Sequence, residues 1–254
     1  MGLYACAVVS CLQRLRGQVM QASAVAAGGS DHTAMHAMLF CDPDAIHKLC
    51  EEAVQHDTVN RPATSVVNIA NYNSPVQVVL SGHKEAVERV SKKAIETKAA
   101  RRAIPLRVSA PFHCPLMEPA RHALAYAFEM DNPSGEFISM DQHDPPGVLD
   151  VGTIPRGVAW FTNLDAERAQ SSTEIRRALV EQAVMPVQWT RCVQQAQARL
   201  ERKAGESGAK PLLLELGPGS ALCRLVEETV GQSVECIPLG TAEGLRAFLK
   251  EHGA

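Results

Sequence analysis

The stretch Arg107-Val108-Ser109-Ala110-Pro111-Phe112-His113-Cys114-Pro115-Leu116-Met117 is where this sequence could do chemistry. Ile104 to Val108 is an apolar run of strand character, Pro111 marks a turn, and helical periodicity sets in near Leu116. A histidine at such a strand-to-helix corner can act as a general base, because imidazole titrates near neutrality and either ring nitrogen can hold the proton. A loop histidine that is merely hydrogen-bonded satisfies the same pattern. Cys114 is adjacent, but neighbouring side chains on a turn usually diverge, so packing is its simpler role. Gly217-Pro218-Gly219-Ser220 lies between an apolar strand and a helix. It lacks the Gly-Lys-Ser/Thr of a phosphate loop and the G-x-S-x-G of a nucleophile elbow, which leaves a tight turn with Ser220 near a helix N-cap. Arg16 lies on a helical pattern, where a solvated charge is the ordinary reading.

The elements that must position these residues alternate along the chain. Residues 3 to 22 carry Val8, Val9, Leu12, Leu15, Val19 and Met20 near a 3.6 period and predict a helix, followed by a loop from Val25 to Thr33. Ala34 to Phe40 reads as a strand. Asp42 then caps a helix with Pro43 at its first position, running through Gln55. Ser65 to Ala70 and Gln77 to Leu80 read as strands joined by an Asn71 to Pro75 turn. Ser81-Gly82 is expected to cap a helix from His83 to Thr97, and Ala103 to Val108 closes a βαββαβ order, that of a ferredoxin-like unit. Leu116 to Met130 predicts a helix and Asp131 to Gly157 a long loop. Val158 to Thr162 predicts a strand, and Ser171-Ser172-Thr173-Glu174 a capping box opening a helix through Val184. Pro186 separates it from a helix over Val187 to Leu200. Strand, turn, helix, strand and helix follow from Leu212 to the C-terminus.

With 254 residues, 46% apolar and 21% charged residues, and a net charge of -3, the composition is that of an ordinary globular α/β protein. Two Trp, three Tyr and six Phe on an acidic chain argue against nucleic acid as a partner. The eight cysteines form no CxxC pair, which points to reduced thiols of an intracellular protein and to no metal framework. No apolar run reaches the roughly 20 residues of a membrane span. Between Lys84 and Arg107, eight cations face three carboxylates. This is either a solvated helix face or a docking surface for an acidic partner.

Separate blocks match one known family in order and spacing. They are Arg14 to Gln21, Asn71 to Glu88, Phe112-His113 with Leu116 to Pro119, Gln182 with Pro186-Val187-Gln188-Trp189-Thr190, and Glu215 to Gly219. On these blocks the chain resembles malonyl-CoA:acyl-carrier-protein transacylases and the related acyltransferase domains. The resemblance implies a partial α/β-hydrolase-like three-layer body, residues 1-33 and 108-254, with a ferredoxin-like (βαββαβ) subdomain inserted at 34-107. It implies transfer of malonyl from coenzyme A to acyl carrier protein in fatty acid synthesis, by a serine-histidine ping-pong mechanism. His113 would be the base, and the Gln182 backbone carbonyl would orient its ring. Arg16 would pair with the free malonyl carboxylate. Asn73 and Asn163 match positions lining the substrate region, and Phe112 before His113 follows the malonyl-type rather than the methylmalonyl-type pattern. The partners implied are malonyl-CoA and acyl carrier protein, docked on Lys84, Arg89, Lys92, Lys93, Arg101 and Arg102. The chain would need no cofactor of its own, since phosphopantetheine arrives on the carrier, and it would be a monomer if complete.

The family's serine lies in Gly-His-Ser-x-Gly, which has no counterpart in these 254 residues. The resemblance therefore implies an N-terminally truncated transacylase. Two alternatives stand beside it: a non-catalytic protein binding acyl carrier protein or acyl-CoA, and a rewired hydrolase using Ser220 or Cys114. Cytoplasm, mitochondrion and plastid are equally compatible with the sequence.

Overall fold

The computed structural model describes residues 2–60, 66–129, 158–207 and 211–252. The loop expected from Asp131 to Gly157 lies outside them.

Helix α1 (Gly2–Ala26) extends the predicted helix at its C-terminal end. Then β1 (Thr33–Leu39), α2 (Pro43–Asn60), β2 (Val67–Ser74), β3 (Gln77–His83), α3 (Lys84–Glu96) and β4 (Arg102–Pro105) follow in βαββαβ order. The strands form one sheet, β2-β3-β1-β4, with every neighbouring pair antiparallel. Alternation along the strands feeds two cores. Met38, Val78 and Leu80 meet Ile46 and Cys50 of α2 and Val87 and Val90 of α3, while Met35, Ala37, Ala70 and Val79 form the opposite face. Helix α3 buries Ala86, Val87, Val90, Ser91 and Ala94, the stripe expected of an amphipathic helix, and leaves its cations outside. Asp42 accepts from the backbone N–H groups of Asp44 and Ala45 through Oδ1, so it caps α2 as its sequence predicts.

Strand boundaries differ from the sequence reading. Asn71 to Ser74 belong to β2 and only Pro75-Val76 turn, because β2 stays paired with β3 through irregularities at Ile69/Asn71 and Tyr72/Ser74. Ser81-Gly82 belong to β3 rather than to a cap, and His83, at the N-cap of α3, makes no side-chain cap bond. Strand β4 stops at Pro105, short of Val108.

Helix α4 (Glu118–Glu129) follows a 3-10 turn over Pro115–Met117, and α5 spans Ser172–Glu181. Ser171 Oγ accepts the Glu174 N–H at 3.2 Å, as its capping box predicts. Met20 and Ala24 of α1, Ala120, Leu124 and Phe128 of α4, and Val180 of α5 pack into a third core with Met117 and Ala183. Strands β5 (Trp160–Phe161) and β6 (Arg168–Ala169) make a short hairpin that had no sequence signal beyond the first strand. Helix α6 (Trp189–Ser207) leads to β7 (Leu212–Glu215), α7 (Ala221–Val230), β8 (Glu235–Pro238) and α8 (Ala242–His252), with β7 and β8 parallel across α7. Val187 ties this part to the sheet: it accepts the Tyr72 N–H at 2.9 Å and donates to the Ala70 carbonyl at 2.8 Å.

Candidate active site

His113 stands on the turn between β4 and the 3-10 segment with φ +57°, the left-handed region that a non-glycine residue occupies only under constraint. The constraint comes from both sides. Phe112 packs into the sheet-face core and into the α1–α4–α5 core at once, and Cys114 behind it is fully buried, its thiol donating to the Pro111 carbonyl at 3.0 Å. Two apolar anchors flanking one polar residue hold the turn in its bent conformation.

The ring is set from α5. Gln182 caps the C-terminus of that helix, where the last carbonyls have no partner within the helix and carry the negative end of its dipole. The His113 Nδ1–H donates to the Gln182 carbonyl at 2.7 Å. This assignment of the proton follows from the acceptor, since a carbonyl has no hydrogen to give. The proton on Nδ1 leaves the Nε2 lone pair available. Burial is the largest influence on His113 and lowers its pKa, hydrogen bonding to the Gln182 and Met185 backbone opposes that, and the charge of Arg16 lowers it further. The imidazole is therefore neutral at neutral pH, the protonation state a base requires.

Arg16 reaches the same region from α1. Burial depresses its pKa, and among the described residues no carboxylate pairs with it. A partly desolvated guanidinium is suited to a planar anionic ligand. Together, a neutral base and a partly buried cation can accept a proton from an attacking hydroxyl or thiol while holding a carboxylate-bearing substrate.

The other expected site residues are spread more widely. Asn73 is half-buried on β2. Asn163 accepts the Gln188 N–H through its backbone carbonyl at 2.8 Å and faces the Cys192 thiol, lining a mostly apolar cavity of about 370 Å³ with Phe161, Trp189 and Leu222. Phe112 is a packing residue between two cores before it is anything else. Ser220 stands at the N-cap position of α7 without a side-chain cap bond, the Leu222 and Cys223 N–H groups going to the Glu215 carboxylate instead, and lines a different cavity with Cys223 and Arg224. Burial pushes the Cys114 thiol up to about 11. The Cys114 thiol is held in its protonated form against the Pro111 carbonyl, and the cavity at Ser220 does not include His113.

One residue escaped the sequence reading. Asn68 of β2 donates through Nδ2 to the His113 carbonyl at 3.1 Å and to the Ile69 carbonyl at 3.0 Å. Its signal was present as an amide inside the apolar run Val66-Val67-Asn68-Ile69-Ala70.

No protein-family model matches the chain. A malonyl CoA-acyl carrier protein transacylase of Haemophilus influenzae is 33% identical over 240 residues, covering 94% of this chain and 64% of that protein. The crystal structure of the transacylase of Xanthomonas oryzae pv. oryzae superposes with a TM-score of 0.68 at 32% identity, over 94% of this chain and 63% of that one. A malonyl-transacylase in complex with its type II PKS acyl-carrier protein gives a TM-score of 0.68 at 30% identity, over 94% and 64%. The chain thus spans less than two thirds of the relatives it matches. Across 94% of its own length it is a homologue of the malonyl CoA-acyl carrier protein transacylases, with their mixed α/β fold.

Proposed function

We propose that this chain carries the base and the carboxylate-binding group of a malonyl-CoA:acyl carrier protein transacylase. The observation that carries this reading is the 2.7 Å bond from His113 Nδ1–H to the Gln182 carbonyl, in reach of the Arg16 charge. In the first half-reaction, His113 Nε2 takes the proton of a serine hydroxyl as its oxygen attacks the malonyl thioester carbonyl, and returns it to the departing coenzyme A thiolate. In the second, Nε2 takes the proton of the carrier's phosphopantetheine thiol as sulfur attacks the malonyl-serine ester, and gives it back to the serine oxygen. Arg16 holds the malonyl carboxylate, which favours diacid over monoacid thioesters. Asn73 and Asn163 line the substrate path, the exposed cations of α3 and β4 meet the acidic carrier, and the chain needs no cofactor of its own. The same reading takes residues 34-107 as a ferredoxin-like subdomain inserted into an α/β-hydrolase-like body.

The alternative reading is a protein that binds acyl carrier protein or acyl-CoA without turnover. Titration calorimetry with malonyl-CoA and acetyl-CoA tests the shared element. Preference for malonyl-CoA that disappears in Arg16→Ala supports it, and equal affinity for the two thioesters in the unaltered chain overturns it. Malonyl transfer to holo acyl carrier protein by the chain alone would then exclude the binding-only reading.

A further inference from the structure

We infer that Asn68 is a positioning residue for His113, clamping the strained turn from the sheet so that the imidazole reaches Gln182; this rests on the reading of His113 as the base. A backbone at φ +57° needs an outside hold, and the carbonyl of His113 has one in the Asn68 amide at 3.1 Å, across 45 residues of sequence. The same Nδ2 donates to the Ile69 carbonyl at 3.0 Å, which fixes the amide to its own strand. Turning the amide over would put its oxygen against both carbonyls, so one orientation is imposed. That orientation has a cost: Asn68 Oδ1 is buried with no hydrogen-bond partner. An unsatisfied acceptor under a strained residue of a candidate active site is hard to explain by folding alone, because an apolar residue at position 68 would avoid it. Across the ladder, Asn68 pairs with Ser81, whose buried hydroxyl likewise has no hydrogen-bond partner, so two adjacent strands carry unsatisfied polar atoms side by side.

The two roles predict different behaviour. If Asn68 serves only the fold, its loss changes stability and leaves the ring alone. If it positions His113, its loss frees the turn, and the ring exchanges its buried site for water. Burial is the largest influence lowering the His113 pKa, so the freed ring titrates higher, toward an ordinary histidine, and loses its single tautomer.

The test is long-range ¹H–¹⁵N correlation of the imidazoles across a pH titration, using the full chain and its Asn68→Ala and Asn68→Asp variants, with His113→Gln to assign the resonance. The aspartate keeps the shape and replaces the donor by an acceptor. The result expected is a single Nδ1–H tautomer in the unaltered chain, and in both variants a tautomer mixture with a raised pKa at unchanged circular dichroism. A His113 signal that keeps its tautomer and pKa in folded variants overturns the proposal. So does loss of fold in both, which would assign Asn68 to stability. The measurement reads the ring without turnover, so it is independent of whether the chain distinguishes malonyl-CoA from acetyl-CoA.

Discussion

His113 and Gln182 are 69 residues apart in sequence, yet Nδ1 of one and the carbonyl of the other lie 2.7 Å apart. The partner is a main-chain oxygen at a helix terminus, so no side-chain substitution at 182 removes it directly. The bond depends instead on where α5 ends and on how the turn at 113 is held.

Stability should fall as pH drops below neutrality. His36, His83 and His113 all have pKa values below that of a free histidine, with burial the largest cause in each. A depressed folded value means that the unfolded chain binds the proton first. The histidine contribution is therefore complete above about pH 6.5 and is lost as pH falls through the lowered folded values. Thermal midpoints measured from about pH 8 to 5 should decline over that window. His113→Gln should make the decline shallower.

Gly82→Ala should destabilise the sheet. Gly82 has φ +150°, and an added Cβ would lie 2.1 Å from the Val66 carbonyl oxygen, which already accepts the His83 N–H at 2.8 Å. Backbone cannot retreat as a side-chain tip can, so the loss should exceed about 1 kcal/mol in denaturant unfolding. An unchanged midpoint would mean that the strands separate at little cost.

Carrier binding should depend on charge. Lys92 is exposed and loosely paired with Glu96 at 3.9 Å, and Arg101 is exposed at the edge of β4. Lys92→Glu with Arg101→Glu should weaken affinity for holo acyl carrier protein by about 10-fold at low ionic strength, and added salt should narrow the gap. Surface plasmon resonance at two salt concentrations reads both effects. Salt-independent binding would place the carrier elsewhere.

Ser171→Ala should cost about 1 kcal/mol, because it leaves the Glu174 N–H without its acceptor at the start of α5. The helix carries Gln182 at its other end, so the His113 resonance should shift with partial fraying of α5. Chemical denaturation and the imidazole spectrum check the two consequences separately.

Local information in the sequence was enough for the helices. Apolar periodicity placed α1, Asp42-Pro43 opened α2, and the Ser171 to Glu174 box opened α5, because caps and 3.6-residue periods act within one or two turns. Block order and spacing pointed to His113, Gln182 and Arg16. Strand ends were harder to read: β2 runs past Asn71 because β3 keeps pairing with it, and pairing is a property of two distant segments.

The site itself was decided by tertiary structure. Sequence determined that a histidine lies on a turn between apolar runs, which is a statement about neighbours in the chain. That the turn takes φ +57°, that Phe112 joins two cores beside it, that Asn68 holds its carbonyl and that Gln182 receives its ring proton are contacts across 45 to 69 residues or between separate cores. Such contacts form only when the sheet, α1 and α5 have packed, because the burial that brings them together is non-local.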